Sequence, residues 1–203
     1  MEEKKKKAFS TYILIACIVI AGLYIVIIFF GTGILSPLPY LHLDSFYGKV
    51  VDADTKEPIE GAAVLAVYHK EVPGVAGSNT YSIDAQEALT DEKGEFKIPQ
   101  TKRWFVLNRG YTEGNLIIFK PAYGVFPRHE LSNAIGESKT WPPPEKYIVY
   151  EMPKLKTMEE RDNNIHFSRP NIPNILMIEF IKLLNQERVY LGYDPFTIEV
   201  KEK

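Results

Sequence analysis

From Ala8 to Leu35 no side chain carries a charge, and between Ile13 and Phe30 the residues are almost all Ile, Leu, Val, Ala, Phe and Tyr. At a rise of about 1.5 Å per residue, a run of about 20 such residues crosses a hydrocarbon core of about 30 Å. The stretch predicts one transmembrane helix over residues 8–35. A helix satisfies its own peptide groups in lipid, and Ser10 and Thr11 can bond back to the preceding turn. Gly31, Gly33 and Pro37 supply the exit.

Lys4 to Lys7 place four positive charges before the span, and the first charge after it is Asp44. The positive-inside rule therefore keeps residues 1–7 in the cytoplasm and puts the rest of the chain outside. A cleavable secretory signal has an apolar core of only about 7–15 residues followed by a polar mature start, and this run is longer. Leu14-Ile15-Ala16-Cys17 resembles a bacterial lipoprotein box. Apolar residues continue beyond it where a polar tether is expected, so Cys17 reads as a small polarizable side chain inside the helix. The expected location is the bacterial cytoplasmic (inner) membrane, with the bulk of the chain periplasmic or extracellular.

Length and composition bound the remainder. The 203 residues allow one domain with appendages or two small ones. With 24 Lys and Arg against 26 Asp and Glu there is no positive excess to drive phosphate binding, which excludes nucleic acid as a partner. Cys17 is the single cysteine, so no intrachain disulfide or cysteine zinc site can form.

Residues 36–45, opening Ser36-Pro37-Leu38-Pro39, read as a short stiff linker. From Phe46 onward, short apolar runs alternate with turn chemistry, the pattern of an antiparallel β-sandwich. Strands are predicted at Phe46–Val51, Ala62–His69, Gln86–Thr90, Glu95–Ile98, Leu116–Lys120 and Tyr147–Met152. The second has Val64, Ala66 and Tyr68 on one face and Ala63, Leu65 and Val67 on the other, so both faces can be covered. Asp91 to Gly94 forms a hairpin turn, in which Asp91 accepts from amides just ahead and Gly94 takes a positive φ. Gly61 marks a bulge or a close backbone approach.

Gly48-Lys49-Val50-Val51-Asp52, Pro58-Ile59-Glu60-Gly61-Ala62-Ala63-Val64 and Thr90-Asp91-Glu92-Lys93-Gly94-Glu95-Phe96 together resemble the carboxypeptidase regulatory-like domain. Lys120-Pro121-Ala122-Tyr123-Gly124 is similar to a late Lys-Pro-Gly-Tyr segment of that family, with Ala122 in place of glycine. The resemblance covers residues 46–153 and implies a mainly β, transthyretin-like (prealbumin-like) antiparallel sandwich. It implies nothing firm about activity. Two inserts are expected in it, a flexible loop over Val72–Ser82 and a loop over Arg128–Glu145 that contains Trp141-Pro142-Pro143-Pro144. Thr101–Asn115 is read as a further connecting stretch. Residues 154–203 form a C-terminal extension with a charged segment at Lys154–Asn164 and a helix over about 173–191. Asn171 is its capping residue and Gly192 follows its end. The helix carries an apolar stripe of Ile178, Ile181 and Leu184 with Phe180 and Leu183, expected to pack on the chain's own sandwich in preference to a partner.

No His is followed at the third position by Glu, and His-Glu-x-x-His does not occur, so the metallopeptidase zinc ligands have no counterpart. Residues Glu199-Val200-Lys201-Glu202-Lys203 also differ from the Tyr-Arg-Gly-Ser tetrapeptide that closes the transthyretin-like 5-hydroxyisourate hydrolases. Asp54 and Asp91 are expected to serve turns, and the alternative is that Asp52, Asp54 and Asp91 converge on Ca²⁺. Trp104, Tyr111, Tyr123 and Trp141 are aromatic residues in predicted loops. Tyr123 is expected to cover a sandwich end, whereas Trp104, Tyr111 and Trp141 are the predicted contact residues. Lys102, Arg103 and Arg109 read as a solvated rim. The expectation is a membrane-anchored, non-catalytic protein interaction or scaffold module without cofactor or metal, its partner an envelope protein. The alternative is a carbohydrate-binding module for envelope or surface glycans.

Overall fold

A computed structural model describes residues 15, 17–25, 40–74, 77–104, 111–137 and 143–198. The chain divides into two units, Met1–Tyr40 and Leu41–Lys203. In the first, residues 17–25 are helical, while most of the expected span lies outside the described residues. Among the described residues no helix is long and apolar enough to cross a membrane.

The second unit is mainly β. Its strands are β1 (Tyr40–Leu43), β2 (Phe46–Asp52), β3 (Ala63–Gly74), β4 (Gly77–Leu89), β5 (Glu95–Ile98), β6 (Thr101–Trp104), β7 (Tyr111–Phe119), β8 (Asn133–Ala134) and β9 (Tyr147–Met152). Two helices follow, α1 (Met158–Ile165) and α2 (Ile178–Tyr190), with a 3₁₀ turn at Asn174–Leu176 before α2. One sheet has the order β5-β2-β9-β8, a second β4-β3-β7, and β1 pairs with β6 in a ribbon. All strand pairs of the two larger sheets are antiparallel except β2 and β9, which run parallel.

The two sheets share a core. Val50 and Phe46 of β2, Phe96 of β5 and Ile148 and Tyr150 of β9 meet Val64, Ala66 and Tyr68 of β3 and Leu116 and Ile118 of β7. Tyr68 carries its hydroxyl to the end of this core, where it donates to the Asp44 carbonyl at 2.7 Å and ties the start of β2 to β3. Burial pushes that phenol well above its ordinary range.

The opposite parity of β3 builds a second core. Ala63, Leu65 and Val67, with Ile117 and Phe119 of β7, are covered by Ile165, Met177, Phe180, Ile181 and Leu184. The C-terminal stripe thus packs on the chain's own sheet. Its lead residue is Phe180, which meets the Phe119 ring at 5.8 Å. The single helix expected over about 173–191 is instead a 3₁₀ turn and then α2. Asn171 does not cap α2. Met177 holds the N-cap position with no side-chain bond of its own, and Glu87 of β4 accepts from the Glu179 and Phe180 amides at 3.0 and 3.1 Å. A strand carboxylate therefore satisfies the exposed amides of the first turn and meets the positive end of the helix dipole. At the other end Gly192 takes φ +86°. Its amide bonds Val189 O and the Tyr193 amide bonds Arg188 O, a Schellman closure.

Helix α1 begins with a reciprocal capping box between Thr157 and Glu160. It is locked to α2 by Arg161, whose Nε and Nη2 donate to the two oxygens of fully buried Glu187 at 2.7 and 2.6 Å. Buried Asn164 accepts from the Val125 amide at 2.8 Å and donates to Tyr123 O at 3.0 Å.

Several expectations need correction. Val72–Ser82 is not a loop: β3 and β4 remain paired residue by residue out to Gly74 and Gly77, past a register shift at Tyr68/His69. Glycine, proline, serine and asparagine read as loop formers, yet among the described residues Val72 to Gly74 pair with β4 alone, and such a ribbon tolerates Pro73 without its N–H. Thr101–Asn115 is not one connection either, since β6 and the start of β7 lie within it. The Arg128–Glu145 insert contributes β8 at the sheet edge.

The expected hairpin across Asp91–Gly94 does not form, because β4 pairs with β3 and β5 with β2 in separate sheets, but turn chemistry accounts for Asp91 and Asp52. Asp91 Oδ1 accepts from the Lys93 and Glu95 amides at 2.9 and 2.8 Å, and Gly94 has φ +73°. Asp52 Oδ1 accepts from Asp54 and Thr55 at 2.8 and 3.0 Å. Thr90 and Lys120 pin the loop before β3: Thr90 Oγ1 donates to Ile59 O at 2.6 Å and Lys120 Nζ to Glu60 O at 2.7 Å. Ala122 sits at φ +65°, a left-handed conformation that suits the glycine it replaces in the resembling pattern.

Replacing Glu87 with Ala should lower stability by about 1–2 kcal/mol, read as a shift in urea midpoint, and should weaken amide-exchange protection first in the opening turn of α2. An unchanged midpoint would show that the strand carboxylate does not hold the helix. A second expectation concerns acid. Burial raises the Asp52 pKa, but the Thr55 and Asp54 amides and the Thr55 and Tyr123 hydroxyls outweigh it and hold the carboxyl below its ordinary range. The folded state therefore holds this proton less tightly than the unfolded chain. The resulting stabilisation is complete above the unfolded value of about 3.9 and is lost as pH falls through the folded one. Asp52→Asn should cost about 1 kcal/mol at pH 7, and its stability curve should converge with that of the unmodified chain below about pH 4.

Candidate functional site

Side chains alternate along β2, so Phe46, Gly48 and Val50 point into the core while Tyr47 and Lys49 point away from it. Register then sets what stands beside them. Tyr47 lies opposite Lys97 of β5 on one side and Tyr147 of β9 on the other. One step along the same face, Lys49 lies between Glu95 and Val149. The outer surface of this sheet thus carries a cross-strand row of lysine and two tyrosines beside a row of carboxylate, lysine and valine.

These rows border a shallow open cavity of about 280 Å³ lined by Tyr47, Gly48, Glu95, Phe96, Lys97 and Tyr147. The tyrosine ring centroids are 6.4 Å apart with planes inclined by 51°. Both hydroxyls are engaged. Tyr47 donates to the Glu145 carbonyl, and Tyr147 Oη lies 3.4 Å from Glu95 Oε1. Glu145 itself has φ +59°, and its amide bonds Ser45 O at 3.0 Å. This non-glycine left-handed residue costs about 1–2 kcal/mol and places the carbonyl that orients Tyr47. Burial, and then the Glu95 carboxylate, push the Tyr147 phenol up from its ordinary value. Gly48 makes the register possible, because a Cβ there would stand 2.1 Å from the Ile148 carbonyl oxygen.

Trp104 closes β6 and Tyr111 opens β7 opposite Glu71, in sheets other than the one that carries the cavity. Trp141 lies outside the described residues. Tyr123 is half-buried against the shared core and bonded to Asp52, in keeping with its expected covering role. Among the described residues no three His, Cys, Asp or Glu side chains are grouped to hold a metal ion. Tyr47 and Tyr147 were not selected from the sequence because each reads as an ordinary strand residue. Alternation about Gly48 marks Tyr47 as outward-facing, but its adjacency to Tyr147 needs the β2–β9 register.

No family model, curated protein or solved structure matches this chain.

The arrangement has the attributes of a binding surface: two fixed aromatic rings, an acceptor carboxylate and a donor ammonium around a small open cavity. Glu95→Gln should lower the titration midpoint of Tyr147, since it removes the negative charge and the charged hydrogen bond while leaving burial in place. Site-resolved NMR of labelled tyrosine rings checks this. An unchanged midpoint would separate Glu95 from the phenol.

Proposed function

We propose that this chain is a single-pass protein of the bacterial cytoplasmic membrane whose β-rich unit is a non-catalytic interaction module on the outer side. The helical residues 17–25 support the anchor. Ile18, Ile20, Leu23 and Tyr24 are 63%, 66%, 57% and 65% exposed, a surface suited to lipid and a liability in water. Lys4 to Lys7 support the orientation. The transthyretin-like, carboxypeptidase regulatory-like reading draws support from the places where its motif residues act: Thr90, Asp91, Gly94 and Lys120 close turns and loops around β3. Their roles are architectural, which leaves contact to the outer faces.

One observation carries the functional reading, the open tyrosine cavity on the β5-β2-β9 face. Its phenol at Tyr147 is pushed up, away from the neutral range in which an acid–base catalyst works. Its rings are held by bonds that leave their faces for a ligand. Anchorage supplies the remaining part of the mechanism, because a tethered module meets neighbours in the envelope at a raised effective concentration, and a weak contact then suffices.

Incorporating a benzophenone side chain at Lys97, on the rim, and irradiating living cells should yield covalent adducts with an envelope component. The same probe at exposed Leu131 should not. Protease added to intact spheroplasts should digest the β-rich unit. Full protection of that unit, or equal adducts at both sites, would overturn the reading.

A further inference from the structure

Resting on the reading of the outer face as the working surface, we propose that the Tyr47–Tyr147 cavity is a saccharide site that takes one pyranose ring of an envelope or surface glycan. The volume is the first argument. About 280 Å³ falls just below the usual range of ligand cavities, about 300–1,000 Å³, and accommodates no more than a single ring with its neighbours left in solvent. The chemistry of the lining is the second. A pyranose offers an apolar face of C–H groups and a rim of hydroxyls. Two inclined aromatic rings match the face, and the rim needs both acceptors and donors. Glu95 only accepts and Lys97 only donates, and they stand two residues apart on one strand, on the same side of the sheet.

Charge narrows the choice further. Glu95 has Lys49 opposite it and Lys97 along its own strand, so the surface presents both signs within one cavity. An anionic or a cationic ligand would meet repulsion from one of them, and a neutral polyol meets none. Preorganisation is the third argument. Because Tyr47 is bound to the Glu145 carbonyl and Tyr147 to Glu95, neither ring must be ordered when the sugar arrives. Trp104 and Tyr111 belong to strands of other sheets, β6 and β7.

The full chain in lipid nanodiscs, labelled with 3-fluorotyrosine, would be titrated with soluble hexamers of glucose, mannose and N-acetylglucosamine and followed by ¹⁹F NMR. At least one should shift the Tyr47 and Tyr147 resonances saturably. Tyr147→Ala and Tyr47→Ala should each weaken that binding by about tenfold, Tyr147→Phe should leave it within about threefold, and Trp104→Ala should leave it unchanged. Circular dichroism melts of each variant separate loss of the site from loss of the fold. Unmoved resonances with every hexamer overturn the saccharide assignment. If Lys97 adducts to a protein persist in that case, the wider reading stands and the ligand is a polypeptide. Undiminished binding by a folded Tyr47→Ala/Tyr147→Ala double variant would also overturn it, by placing the sugar elsewhere.

Discussion

From Ala63 to Tyr68, strand β3 gives neither face to water. Val64, Ala66 and Tyr68 enter the core between the sheets, and Ala63, Leu65 and Val67 enter the core beneath the C-terminal helices. A strand of this kind requires a layer on each side, and much of the remaining architecture follows from that demand. One layer is the β5-β2-β9-β8 sheet. The other is α2 with its flanking turns, which is why a segment beyond the sandwich belongs to the same unit. The helix is fastened to the sheet by polar contacts at its margins as well as by apolar burial at its centre. Glu87 reaches its first turn from β4, and Glu187, fully buried, is matched by both donor groups of Arg161. A carboxylate left alone in that interface would be costly, so the ion pair specifies how α1 and α2 meet.

Local chemistry made a large part of this legible in the sequence. Short apolar runs bounded by turn residues located β2, β3, β5 and β9, and the two-sided apolar pattern of residues 63–68 announced a covered strand before any helix was placed. Asp91 and Gly94 marked their turn because a side-chain acceptor and a positive φ are needed within four residues of each other. Gly192 marked the end of α2 for a similar reason. What escaped was non-local. The stretch from Val72 to Ser82 has loop composition, and only the pairing of β3 with β4 makes its described residues a ribbon. The cap of α2 comes from Glu87, far earlier in the chain, where no helix signal exists.

The candidate site escaped for the same reason. Tyr47 and Tyr147 are neighbours because β2 and β9 run parallel in a register that Gly48 permits by having no side chain to strike Ile148. Loop aromatics drew attention in the sequence because aromatic rings in loops are often contact residues, yet Trp104 and Tyr111 belong to strand ends. In a sandwich covered on one side by helices, the outer surface of the opposite sheet is, among the described residues, a broad strand surface with exposed side chains. Its outward residues can therefore vary without disturbing either core.

The covering of β3 also has a temporal side. Leu65, Val67, Ile117 and Phe119 leave the ribosome well before Phe180, Ile181 and Leu184, which later bury them. For the duration of that interval the emerging polypeptide carries a bare greasy sheet surface, of the kind that holdase chaperones capture. Any message truncated ahead of α2 would make that exposure permanent, so the segment that carries Phe180, Ile181 and Leu184 acts as the lid on the nascent protein.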